Sequence, residues 1–244
     1  MGNLGERKKQ KRISAPKVAL IKRKAHTWTI SVRAGSHGKY TGIPLGIVIR
    51  DHLKFAKNAK ESSFMINNGY ALVDGKRVKQ GNKHIAGLFD VISFPEIKKH
   101  YRIVFDKKGR ILPWEIKDMK DKICKITNKT QLNKDTIQIT LHDSRNIRLP
   151  VKDKDKYKVG ESVKISLPDG AIKEIYELKE GNVASVISGK HAGSEGKLTA
   201  IVPATMTKPA VVKIAAKDKE FETTKENAIV IGKTKPEIEL LGGE

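Results

Sequence analysis

The chain has 244 residues, enough for one large domain or two to three small ones without disulfide or metal staples. Lys and Arg number 49 against 27 Asp and Glu, a formal charge of +22 that repels itself in isolation and calls for a large polyanion as partner. A single cysteine, Cys124, excludes an intramolecular disulfide and a Cys-based zinc cluster, and no apolar run approaches the ~18 residues of a membrane helix.

The seven His fall in no metal-ligand spacing, so no metal and no cofactor is expected. The N-terminus is basic and lacks the apolar core of a secretion signal, which points to a soluble protein in a reducing, intracellular compartment. The positive charge is crowded toward the beginning. Residues 1–94 hold 19 basic and 5 acidic side chains, whereas residues 181–244 hold 9 and 8.

Residues 1–42 read as a basic arm, with Arg7, Lys8, Lys9, Lys11, Arg12, Arg23 and Lys24 as candidate phosphate contacts and little apolar periodicity. Free in solution its first 24 residues are expected to be disordered and to order on phosphate. It continues into Trp28 and Tyr40, which can stack on bases or anchor the segment to its own domain, and Trp28 is read as an anchor.

Residues 43–94 read as a compact α+β unit. Leu45, Val48, Ile49, His52 and Leu53 recur at helical spacing after Pro44, leaving Arg50 off the apolar face. A second helix is expected after Asn58, with Glu61 completing a capping box and Gly69 ending it. Asp74-Gly75 between apolar residues signals a hairpin, with Val91-Ile92 as a returning strand. Lys54, Lys57 and Lys60, at spacing three, are expected along one side of the second helix. Lys76 and Arg77 follow the turn. A basic helix face beside a basic hairpin can track a phosphate backbone, and Arg50, Lys57, Lys60, Lys76 and Arg77 are the candidates here.

Residues 95–180 read as mostly β, with runs at 101–105, 123–127, 137–141, 163–167 and 172–176 separated by turn signals at 106–109, 142–145 and 168–170. Asp106, Asp143 and Asp169 are taken as turn formers. Residues 181–244 read as a last small β unit with strands at 183–187, 198–202, 211–215 and 228–231 and a Gly-rich loop over 188–197. In that loop Lys190 and Lys197 are further candidates for anion contact. The Gly232-Lys233-Thr234 triplet is no phosphate loop, because Asn227 stands where the first glycine is required and Pro236 blocks a following helix.

The stretch from Asn58 through Ile66, Gly69 and Val73-Asp74-Gly75-Lys76 resembles the alpha-L (S4-like) RNA-binding domain. The loop Gly189-Lys190-His191-Ala192-Gly193-Ser194-Glu195-Gly196-Lys197 resembles a KOW motif. Taken in this order, and preceded by the 11–17 run, Arg23-Lys24, Trp28-Thr29 and Ile43-Pro44-Leu45, the chain resembles the small-subunit ribosomal protein S4e family, in a length closer to the archaeal type. Leu141-His142-Asp143, Tyr157-Lys158-Val159-Gly160 and Ser166-Leu167-Pro168 add to the likeness. Ser36 and Ser144 stand where the family usually has Pro and Gly, and no Trp comes soon after Pro16, three local departures from the pattern.

The resemblance implies an α+β multidomain protein: a basic N-terminal arm, an alpha-L domain, a central mostly-β domain, and a C-terminal small, SH3-like β-barrel with a KOW motif. It implies a cytoplasmic, ribosome-associated structural constituent without catalysis. Its partners would be small-subunit ribosomal RNA and neighbouring small-subunit ribosomal proteins, with no membrane and no small-molecule substrate. Two other readings are an RNA-modifying enzyme targeted by an alpha-L unit and a KOW-containing transcription-elongation factor.

Overall fold

The computed structural model describes residues 9–106, 108–216, 220–234 and 236–237. The chain divides into two compact units, residues 1–104 with 110–120 and residues 105–109 with 121–244. Both are built mainly from antiparallel strands.

In the first unit, β1 (Gln10–Lys11) pairs with β2 (Trp28–Thr29) in a short antiparallel ribbon. The described part of the arm, expected to be disordered free in solution, has internal partners in this structure. Arg12, 4% exposed, supplies the physical reason. Its guanidinium donates to the carbonyls of Trp28 at 3.2 Å and Lys22 at 2.9 Å and reaches Asp51 at 3.5 Å, so the arm has internal partners for a charge the sequence assigned to RNA. Further along, Ile111 N–H donates to the Val18 carbonyl and Arg33 N–H to the Lys83 carbonyl. Trp28 is a second departure. It is 52% exposed and therefore no buried anchor.

β3 (Gly42–Pro44) leads into α1 (Leu45–Ile47), which is only one turn long. The helix expected to run on through Leu53 widens instead into a π-helical turn over Val48–His52, closed by Leu53 N–H on the Val48 carbonyl. Leu45, Val48 and Ile49 still face the core. α2 (Ala59–Asn67) begins where Asn58 predicts, because the Asn58 side chain accepts from the N–H groups of Lys60 and Glu61. Glu61 Oε2 in turn accepts from Lys57 N–H at 2.7 Å. Lys54 and Lys57 thus precede the helix rather than lining it, and only Lys60 lies on it. Gly69, at φ 83°, ends the helix.

β4 (Leu72–Val73) and β5 (Lys76–Arg77) flank the Asp74-Gly75 turn, with both turn residues at positive φ as a tight two-residue hairpin requires. With β6 (Ile85–Gly87) paired to β3, β7 (Val91–Phe94), β8 (Lys99–Phe105) and β9 (Ile111–Ile116) complete the unit, in the sheet order β5-β4-β7-β8-β9. The core contains Ile43, Leu45, Ile49, Ile66, Phe89, Ile92 and Ile103, with Phe55, Phe94 and Tyr101 in edge-to-face contact.

In the second unit, β10 (Asp121–Gln131), β11 (Thr136–Leu141), β12 (Asn146–Pro150), β13 (Ser162–Ser166) and β14 (Ile172–Tyr176) form an antiparallel sheet in the order β12-β11-β10-β13-β14. Its core holds Cys124, Ile126, Ile139, Leu141, Val163 and Ile165. A second sheet runs β18 (Glu220–Thr224), β17 (Val211–Ala215), β16 (Glu195–Val202), β15 (Val183–Val186), β19 (Ala228–Gly232). The Gly-rich loop is shorter than expected, since Glu195, Gly196 and Lys197 already belong to β16. Gly193 is obligatory there. Its φ is 83°, and a Cβ would lie 2.3 Å from the Asp106 carbonyl oxygen.

Two buried lysines organise this unit. Lys122 is fully buried and pairs with Asp143 at 2.9 Å, and Asp143 also receives Arg145 Nε at 3.1 Å. Lys125 Nζ donates to the carbonyls of Lys225, Glu226 and Ala228 at 2.7–2.8 Å. Burial and the nearby Lys225 push the Lys125 ammonium down to about 8, with Glu226 opposing, so it remains cationic at neutral pH.

Candidate nucleic-acid interface

The basic residues of the first unit sort into two groups once folded. Arg12 is internal, as described, and Arg50 is spoken for. Arg50 clasps Asp51 through Nε at 2.7 Å and Nη2 at 3.0 Å, which raises its own pKa. Burial works to raise Asp51, but the guanidinium groups of Arg50 and Arg12 outweigh it and hold the carboxyl below the ordinary range. Arg23 is exposed yet donates to the carbonyls of Ile13 at 2.7 Å and Ala15 at 3.3 Å, which fixes the arm's turn.

The lysines behave differently. Lys9, Lys11, Lys24, Lys57, Lys60 and Lys76 are all exposed, and none makes an ion pair among the described residues. A flexible ammonium on a solvated stem is free to meet phosphate at little cost in lost internal contacts. Arg77 is exposed too, but it has a partner. Its guanidinium donates to the Asn67 carbonyl at the end of α2, and its stem runs past Gly69, so the hairpin and the helix are tied together. Arg7 and Lys8 lie outside the described residues. Lys190 is exposed in the Gly-rich turn of the second unit, and Lys197 is exposed on β16.

Aromatic side chains accompany the lysines. Lys9 Nζ sits 5.8 Å from the Trp28 ring centroid, a cation–π distance. Phe64, on α2, is 61% exposed and lies with its ring centroid 6.1 Å from that of Tyr70. Phe64, Tyr70 and the exposed Lys83 escaped the reading from sequence. The available signal for Phe64 was its place off the buried stripe of Ser62 and Ile66, where an aromatic has no core to fill.

In the second unit, Asp143 proves to be both a turn former and the buried acceptor of Lys122, with Cys124 Sγ 3.6 Å from the same oxygen. Among the described residues no group of three or more His, Cys, Asp or Glu is arranged to hold a metal ion, and no helix is long and apolar enough to cross a membrane.

The model of the Ribosomal family S4e matches residues 97–172, and that of the RS4NT (NUC023) domain matches residues 4–40. Small ribosomal subunit protein eS4 of Methanocaldococcus jannaschii is 38% identical over 98% of this chain and all of that protein. The eS4 protein of Methanococcus vannielii is 37% identical over 97% of this chain and 98% of its own length. The crystal structure of 30S ribosomal protein S4e from Thermoplasma acidophilum superposes with a TM-score of 0.67 at 28% identity, covering 80% of this chain and 96% of that one. All three are named as small-subunit ribosomal proteins. Agreement over nearly the full length, in sequence and in backbone, means that the chain belongs to the S4e family of small-subunit ribosomal proteins.

Proposed function

We propose that the protein holds folded ribosomal RNA through the exposed cations of its first unit, with Lys57 and Lys60 at the start of α2, Lys76 and Arg77 on the hairpin, and Lys9, Lys11, Arg23 and Lys24 on the arm. Arg7 and Lys8 extend the arm's charge, and Lys190 and Lys197 contribute more weakly from the second unit. Arg12 and Arg50 position their neighbours instead. As an S4e-family member the protein is a structural constituent of the small ribosomal subunit in the cytoplasm, not an enzyme, and its partners are ribosomal RNA and adjacent ribosomal proteins. The single observation that carries the interface is that Lys57, Lys60 and Lys76 remain exposed and without ion pairs in a region where Arg12 and Arg50 are paired with Asp51.

We read residues 1–42 as the basic arm, 43–94 as an alpha-L domain, 95–180 as the central β-rich domain and 181–244 as a small barrel with a KOW motif. The capped helix followed by the Asp74-Gly75 hairpin supports the second assignment, and the Gly-rich turn leading into β16 supports the fourth. Affinity then comes mainly from counterion release, and the A-form shape of the RNA sets the register. Measuring ribosomal RNA affinity against salt tests this. Roughly six to ten phosphate contacts give a steep log–log slope, and a flat slope overturns the interface.

A further inference from the structure

A cleft of about 460 Å3 opens beside the β1–β2 ribbon, with Lys9, Trp28, Ile30, Ser31, Asn82 and Lys83 in its walls. Its volume falls in the range of sites that enclose a small ligand, roughly 300–1,000 Å3. Trp28 presents a half-exposed indole there, although burying such a ring is among the larger gains available to a fold. The strand beneath it is fixed from behind. Trp28 is paired with Lys11 across the ribbon, and its carbonyl accepts from the buried Arg12. The backbone that carries the ring is therefore held in place, and Lys9 Nζ lies 5.8 Å from the ring centroid.

Charge narrows the occupant. Among the described residues no carboxylate lines the cleft, and Lys9 and Lys83 are exposed and make no ion pair. A protein partner's buried contacts are depleted in lysine, and an RNA duplex hides its base faces within the stack. An aromatic ring in one cleft with two ammonium groups matches an unstacked base and its flanking phosphates. We propose that this cleft takes one unstacked nucleotide of single-stranded RNA, its base against Trp28 and its phosphates beside Lys9 and Lys83. The inference rests on the RNA-binding reading above and adds a site that reads strand state rather than charge alone.

Trp28 and Trp114 are the only tryptophans, so Trp114→Phe leaves Trp28 as the sole indole reporter. In the full-length Trp114→Phe protein, a uridine-rich single-stranded oligonucleotide quenches Trp28 emission, and a duplex of equal length and charge does not. In the unaltered protein, Trp28→Ala weakens the single strand about tenfold and the duplex less than twofold, while Trp28→Phe retains most of the affinity. Circular dichroism checks that Trp28→Ala folds, and quenching remains a readout if it does not. Binding of both RNAs without quenching, or equal losses on both, overturns the cleft and leaves the basic interface standing. Failure of the unaltered protein to bind either RNA overturns both. Trp28 emission that oligonucleotides leave unchanged but that shifts on adding neighbouring ribosomal proteins assigns the cleft to protein and overturns the proposal.

Discussion

Arg12 and Asp51 meet at 3.5 Å across 39 positions of sequence, so the second residue of a solvated-looking KR pair closes the arm onto the first unit. The arm's fold and its affinity for RNA are consequently not separable by wholesale deletion. Removing residues 1–24 would take Arg12 with it and leave Asp51 with fewer cations, so a loss of binding in that truncation would mix misfolding with lost phosphate contacts.

Arg12→Ala should destabilise the protein by about 2–3 kcal/mol, since it orphans two carbonyls and part of a half-buried carboxylate. Arg12→Lys should recover little, because one ammonium cannot reproduce the planar fork that reaches the Trp28 and Lys22 carbonyls and Asp51 together. A lower urea midpoint at unchanged slope checks this, and a wild-type midpoint contradicts it.

Asn58→Ala should cost about 1 kcal/mol through loss of the two cap bonds at the start of α2. Asn58→Gly should cost only a few tenths. Denaturant curves of the two variants distinguish a cap from a surface residue, because an uninvolved Asn58 would give no difference between them.

Ser144 occupies φ 61° in the turn between β11 and β12. Glycine is the residue that the family resemblance leads one to expect here, and the backbone still takes the left-handed form that glycine favours. Ser144→Gly should therefore raise stability by about 1 kcal/mol. Thermal unfolding reads the change, and a decrease would mean that the serine side chain contributes more than the backbone conformation costs.

Burial acts to raise the Asp143 carboxyl, but Lys122 first, then His142 and Arg145, hold it below its ordinary value. A carboxylate depressed in the folded state contributes stability that is present above the unfolded pKa and is lost as pH falls through the folded one. Stability should thus decline as pH drops below about 4, and Asp143→Asn should remove that part of the decline. At neutral pH the same substitution should cost about 3 kcal/mol by removing the carboxylate that faces the buried Lys122 ammonium at 2.9 Å. Unfolding curves across pH 2–7 for both proteins supply the comparison, and parallel profiles would contradict it.

Lys57→Ala and Lys60→Ala should each lower the salt slope of ribosomal RNA binding by about one, with affinity falling at low salt more than at high. Arg50→Ala should leave the slope unchanged and act on stability instead, given its clasp on Asp51. A slope that responds to Arg50 and ignores the lysines would reverse the assignment.

The capped helix, the Asp74-Gly75 hairpin and the strands at 137–141, 172–176 and 211–215 were legible because each carries a local signal: a cap, a turn dipeptide or an apolar run. Within the five-stranded sheets three strands were not, namely Ile111–Ile116, Asn146–Pro150 and Glu220–Thr224, and all three are edge strands of their sheets. An edge position tolerates Pro113 and Pro150 and needs little burial, which removes the pattern that marks a strand. The candidate site was legible as charge but not as geometry. Nothing local separates Arg12 from Lys11 or Lys122 from Lys120, because burial of those charges is decided by Asp51 and Asp143, far away in sequence.

The grip of Lys125 on three consecutive-region carbonyls just ahead of and at the start of β19 has a thermal consequence. Together with Val230 N–H on the Ser162 hydroxyl, it rivets the two sheets of the second unit at points scores of residues apart. Neither sheet can loosen without stranding polar groups of the other, so calorimetry should register residues 121–232 as one cooperative endotherm rather than two.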